Sequence, residues 1–302
     1  MTAGEHRPEG RPADTGARIV DAHHHVWDLS VRDQDWLADD RLAPLRRTFT
    51  TADLAPEAAA AGVDATVVVQ TVTVPDETPE LLALAAADDL VAGVVGWTDL
   101  TAPDVADALA RLRDGPGGEH LVGIRHQVQG EPDPRWLLRP DVTRGTRALA
   151  AAGLVHELVV LPHQLPAAAE AAAAHPDLLF VLDHLGKPPV AEGRSASWAR
   201  DLRRLAGLPN TLGKLSGLVT EAHWDTWTVE DLRPFADTAL EAFGPERLMF
   251  GSDWPVCLLA APYRRVVGTA RELTAALTPA ERAAVLGGTA TRVYGLRRHG
   301  PG

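Results

Sequence analysis

Cysteine, lysine, tyrosine and methionine are all scarce in this chain of 302 residues: one Cys, two Lys, two Tyr and two Met. The single thiol, Cys257, excludes an internal disulfide and leaves the redox environment unconstrained. No uninterrupted apolar stretch approaches the ~20 residues that span a bilayer as a helix, so the composition carries no sign of a membrane protein. Positive charge is short as well. Lys and Arg number 29 against 41 Asp and Glu, and the net charge of -12 argues against a nucleic-acid partner. Residues 1–18 are polar and rich in proline, glycine and charge, without the apolar core of a secretory signal. They read as a disordered leader on a cytoplasmic protein. What remains is an ordinary soluble composition, 45% hydrophobic and 23% charged, able to bury a large core.

Eight short apolar or β-branched runs punctuate the chain: IVDAHHH from Ile19, ATVVVQ from Ala65, LVAGVVGW from Leu90, LVGIRHQ from Leu121, LVHELVV from Leu154, LLFVLDH from Leu178, TLGKLSG from Thr211 and RLMFGSD from Arg247. Their starts lie 24 to 46 residues apart, the spacing of strand–helix–strand crossovers. Alanine-rich segments between them read as helices. Those from Pro79 and Pro166 open on a proline suited to a helix start, and the one from Thr228 stops at Gly244. A last amphipathic helix is expected from Thr278. Eight such units in about 280 residues suit a single-domain (β/α)8 TIM barrel over residues 19–302. A doubly wound open sheet is the alternative, but no glycine-rich phosphate loop follows the first strand.

Barrel enzymes work at the C-terminal ends of their strands, and polar residues gather at those ends here. The first run ends in His23, His24 and His25, the second in Gln70, the third in Trp97 and the fourth in Arg125 and His126. Asp183 and His184 close the sixth, Lys214 and Ser216 the seventh, and Ser252 and Asp253 the eighth. Strand side chains alternate, so His23 and His25 share one face while His24 points the other way. By the same rule Asp183 is expected to face away from His184. His156 comes early in its run, and both a place in the barrel and a place in the core are open to it. Four of the eight tryptophans (Trp27, Trp97, Trp136 and Trp254) fall at or just beyond strand ends, where indole faces can stack on a ring and suit a compact cyclic substrate.

Asp21-Ala22-His23-His24-His25 together with Gly251-Ser252-Asp253-Trp254-Pro255 resembles the amidohydrolase superfamily. The closest likeness is to its branch of sugar-acid lactonases, which includes L-fuconolactonase and 2-pyrone-4,6-dicarboxylate lactonase. GIRHQVQGEPDPRWLLRPDV from Gly123, FVLDHLGKP from Phe180, KLSGLVTEA from Lys214 and ERLMFGSDWPVCLLAAPY from Glu246 extend the likeness over nearly the whole chain. The resemblance implies His23 and His25 as the first-strand pair, His184 as the sixth-strand histidine and Asp253 as the general base. It also implies that these four can hold a single divalent ion such as zinc, or act without one. Binuclear members carry a carboxylated lysine on the fourth strand; Arg125 and His126 stand there instead, which argues against a second ion. Arg125 and His126, with Gln70, Trp97, Lys214 and Trp254, are the expected substrate contacts, and no organic cofactor is implied. The substrate is then a sugar lactone opened to its acid. A decarboxylase of the same superfamily, acting on a carboxylated aromatic or enoic acid, is the rival reading. The sequence does not choose between a monomer and a homo-oligomer.

Overall fold

In the computed structural model, residues 17–193 and 195–297 are described; apart from Ala17 and Arg18, the expected leader lies outside them. Each of the eight apolar runs contains one strand: β1 (Val20–His24), β2 (Ala65–Val69), β3 (Val91–Gly96), β4 (Leu121–His126), β5 (Val155–Leu158), β6 (Phe180–Leu182), β7 (Thr211–Leu215) and β8 (Leu248–Phe250). They form one parallel sheet in sequence order. The seam between its two edges is closed by the site segments themselves. His25 N–H donates to the Trp254 carbonyl at 2.6 Å and Asp253 N–H to the His23 carbonyl at 2.8 Å. The sheet is a (β/α)8 barrel.

The helices between strands, α1 (Thr51–Ala61), α2 (Glu77–Ala87), α3 (Val105–Asp114), α4 (Pro140–Ala152), α5 (Leu165–Ala174), α6 (Ala196–Ala206), α7 (Val229–Phe243) and α8 (Tyr263–Leu273), pack around it. Local chemistry sets their ends. Thr228 and Asp231 form a capping box at the start of α7, and Gly244 ends it. The expected last helix is interrupted. α9 (Pro279–Ala283) passes through a wider π turn at Ala284–Gly288 into α10 (Thr289–Val293).

Apolar burial falls into two layers. A large outer layer joins strands to helices, and a smaller inner one fills the lower barrel with Val20, Ala22, Val67, Val69, Val155, Val181, Leu212 and Met249, closed by Ala290, Tyr294 and Leu296 of the C-terminal segment. Strand parity decides which layer each residue joins. His156 belongs to the outer one, fully buried against Phe180 with neither ring nitrogen meeting a partner.

Burial holds the His156 imidazole neutral, lowering its pKa to about 3. In the unfolded chain it titrates near 6.5, so the unfolded state binds the extra proton first. Its contribution to stability is therefore complete above pH 6.5 and is lost as pH falls toward 3, by about 1.4 kcal/mol per pH unit. His156→Leu is expected to flatten the fall of the urea midpoint between pH 6.5 and 4. A slope equal to wild type would mean that the ring already carries its proton in the fold.

Candidate active site

Regular alternation does not by itself aim the first-strand histidines inward. Val20 and Ala22 face the barrel interior, and that parity continued would send His24 inside. The β1–β2 register shifts between Asp21 and His24, an irregularity that re-aims the next residues. His23 and His25 consequently point in, with their Nε2 atoms 3.2 Å apart. His24 is buried with both nitrogens unpartnered, and burial lowers its pKa to about 3. Asp21 holds the bend. Its carboxylate accepts from His23 N–H at 3.2 Å, Ser252 N–H at 2.7 Å and the Tyr263 hydroxyl at 3.0 Å.

At β6 the sequence expectation is reversed for Asp183. It keeps the inward parity of Val181, lying 3.1 Å from Arg125 and 3.3 Å from His23. His184 reaches the interior because the chain turns there, with positive φ at both His184 and Leu185. Such left-handed backbone is costly away from glycine and concentrates at functional sites. Gly217 makes room: a Cβ on it would lie 2.7 Å from His184 Nδ1. Gly251 does the same for His23, where a Cβ would come within 2.6 Å of the histidine's own. Asp253, also at positive φ, closes the group.

The result is a convergence on one carboxylate oxygen. Asp253 Oδ1 lies 3.4 Å from His25 Nε2, 3.7 Å from His23 Nε2 and 3.9 Å from His184 Nε2. All four side chains are nearly buried. Burial by itself would raise the Asp253 carboxyl; the imidazoles of His184, His25 and His23 outweigh it and keep the group ionised, below the usual carboxylate range. Burial lowers His184 to about 4 despite the nearby Asp253 charge.

A tetrahedral ion with bonds of about 2.0–2.2 Å sets its ligand atoms about 3.3–3.6 Å apart, close to these separations. The outer hydrogen bonds agree. His25 Nδ1–H donates to the Val69 carbonyl at 2.7 Å, leaving the Nε2 lone pair directed at Asp253. His184 Nδ1 lies 2.9 Å from Ser216 Oγ, which supports that ring from its other edge. His23, His25 and Asp253 thus make a group able to hold a metal ion, with His184 alongside.

Below this group lies a fully buried ionic layer. Lys214 Nζ donates to Glu157 Oε2 at 2.6 Å and lies 3.0 Å from His23 Nδ1 and 3.2 Å from Asp183 Oδ1. Arg125 NH1 sits 3.1 Å from Asp183 and 3.2 Å from His23 Nε2. Its NH2 donates to the Gln70 carbonyl oxygen at 2.5 Å and to the Gln70 side chain at 2.9 Å. Lys214 and Gln70, expected at the substrate, are therefore placed beneath and behind it. Glu157 escaped sequence reading although it shares parity with Val155. Tyr294, whose hydroxyl donates to Glu157 Oε1, left no local signal.

The mouth is aromatic. Trp97 Nε1–H donates to His126 Nδ1 at 3.1 Å, His126 Nε2–H donates to Glu131 at 2.7 Å, and the ring stacks on Trp136 at 4.1 Å. Both His126 nitrogens are thus engaged. Of the four strand-end tryptophans, Trp97 alone is not fully buried. Trp254 is buried edge-to-face against Phe49, and Trp27 also packs edge-to-face on that ring.

Comparison with known proteins agrees with this arrangement. Residues 20–296 match the family model described as amidohydrolase. An L-fucono-1,5-lactonase of Burkholderia multivorans is 42% identical over 292 residues, covering 93% of this chain and 97% of its own. A second L-fucono-1,5-lactonase, from Burkholderia ambifaria, is 37% identical, covering 92% of this chain and 96% of its own. A crystal structure of a Burkholderia multivorans amidohydrolase with bound zinc superposes with a TM-score of 0.88 at 40% identity, over 93% of this chain and all of that one. The barrel, the converging histidines and the match over nearly the whole chain make this protein a member of the amidohydrolase family.

Proposed function

We propose that the protein is a lactonase that hydrolyses a sugar-acid lactone to the free acid. The observation that carries this reading is the convergence of three imidazoles on the ionised Asp253, in a chain 42% identical to an L-fucono-1,5-lactonase over almost its full length.

Lactone opening needs a water nucleophile, a base to take its proton, and positive or hydrogen-bonding groups where the carbonyl oxygen gains charge. Asp253 is the base. Held ionised by its histidine neighbours, its carboxylate can take the proton of a water placed above Oδ1. The ring ester's carbonyl then lies over Arg125, whose guanidinium is fixed by Gln70 and Asp183. The partly buried Trp97, held by His126, offers an indole face to the sugar ring. His23, His25, His184 and Asp253 would hold one divalent ion. Such an ion would polarise the carbonyl and make its water a stronger acid. The guanidinium 3.2 Å from His23 Nε2 disfavours a second cation in the same space.

A panel of aldono-1,4- and 1,5-lactones, L-fucono-1,5-lactone among them, assayed by proton release is expected to show hydrolysis. The same panel should include carboxylated aromatic acids. Turnover of those acids with none of the lactones would replace this reading by a decarboxylase. Elemental analysis is expected to find no more than one divalent ion per chain, and two would sink the mononuclear reading.

A further inference from the structure

The ionic layer beneath the site is tied to the far end of the barrel. Tyr294 follows α10 and is buried among the residues that close the barrel floor. Its hydroxyl donates to Glu157 Oε1, and the other oxygen of that carboxylate accepts from Lys214. The Lys214 ammonium lies 5.9 Å from the centre of the Tyr294 ring and touches Asp183 and His23 Nδ1 on its upper side. Glu157 and Lys214 are fully buried, and Tyr294 nearly so.

We infer that Tyr294 is a positioning residue for the reaction. Through Glu157 and Lys214 it fixes the Nδ1 edge of His23, and through that ring the geometry of the Asp253 group. This inference rests on the lactonase reading for its kinetic consequence only.

The Lys214 ammonium donates to Glu157 and lies 3.2 Å from Asp183 Oδ1 and 3.0 Å from His23 Nδ1. Where the ammonium sits decides the orientation of the His23 ring. Glu157 makes the shortest of the three contacts, so the placement of that carboxylate sets the ammonium, and Tyr294 holds the carboxylate from below. Burial and the Glu157 charge push the Tyr294 phenol well above its usual value, so its hydroxyl remains a donor. Removing one member of a buried polar chain loosens the rest. The barrel floor thus serves the chemistry at the opposite end as well as closing the core.

The test compares Tyr294→Phe, which removes one hydroxyl and keeps the ring, with Leu296→Ala, which weakens the packing of the same floor without touching the chain of polar contacts. Tyr294→Phe is expected to lower kcat about tenfold with KM changed less than twofold. Leu296→Ala is expected to lower Tm and leave kcat within twofold. Nitrogen-15 spectra of histidine-labelled protein supply a readout independent of turnover: the His23 ring resonances should shift in Tyr294→Phe and stay in place in Leu296→Ala. A wild-type kcat in Tyr294→Phe overturns the inference. So do unshifted His23 resonances, even in a protein that hydrolyses no lactone. Absence of lactone turnover in the wild type would count against the proposed function alone.

Discussion

Asp253→Asn is expected to reduce kcat for lactone hydrolysis by at least two orders of magnitude, the usual scale for a positioned general base. Asparagine keeps the size of the side chain, so folding should survive, but its amide cannot take a proton from water. The nearest other carboxylate beside the histidines, Asp183, is fully buried and engaged by Arg125 and lies close to Lys214. Saturating rates measured by proton release, with Tm and metal content determined on the same preparation, separate loss of the base from loss of the fold or of an ion. A variant within a few-fold of wild type would remove Asp253 from this role.

Lys214→Met should be the most destabilising conservative-volume change in the barrel interior, by roughly 3–5 kcal/mol. The methionine fills the space, yet Glu157 loses its nearest cation and Asp183 loses one of its two. Burial already raises the Glu157 carboxyl against the pull of Lys214. For Asp183 the nearby cations reverse the effect of burial and hold it ionised. Without the ammonium, Glu157 is left with the Tyr294 hydroxyl, and Asp183 with Arg125 and the His23 ring. Urea unfolding of the variant measures the loss directly. A change below about 1 kcal/mol would mean that the lysine and its partners contribute no more than an exposed ion pair does.

The order of elements and the residues that converge at the strand ends were legible along the chain. Eight apolar runs spaced for crossovers determine a parallel barrel, because strands buried on both faces need no alternation and the intervening segments are long enough for a helix. Polar residues placed at the ends of those runs mark the working end of the barrel, and His23, His25, His184 and Asp253 all meet there. Side-chain direction was harder. The parity rule orients a residue only while a strand stays regular, and β1 slips register at the site while the chain after β6 turns through left-handed backbone. His184 therefore points in beside Asp183, although regular alternation from Val181 would have sent His184 outward.

What each inward residue touches depends on its depth and on partners distant in sequence. Lys214 and Gln70 look like substrate contacts when only their strand ends are known; in the fold, Glu157 and Asp183 claim the first and Arg125 the second. His126 is taken up by Trp97 and Glu131. Tyr294 lies 137 residues from Glu157 along the chain, and no local pattern links them. Local sequence determined the eight-fold unit and the residue types that meet at the strand ends, because periodicity and turn chemistry act over a few neighbours. Only the closed barrel decided which charges neutralise one another in its interior, because that pairing depends on where eight separate strands bring their side chains together.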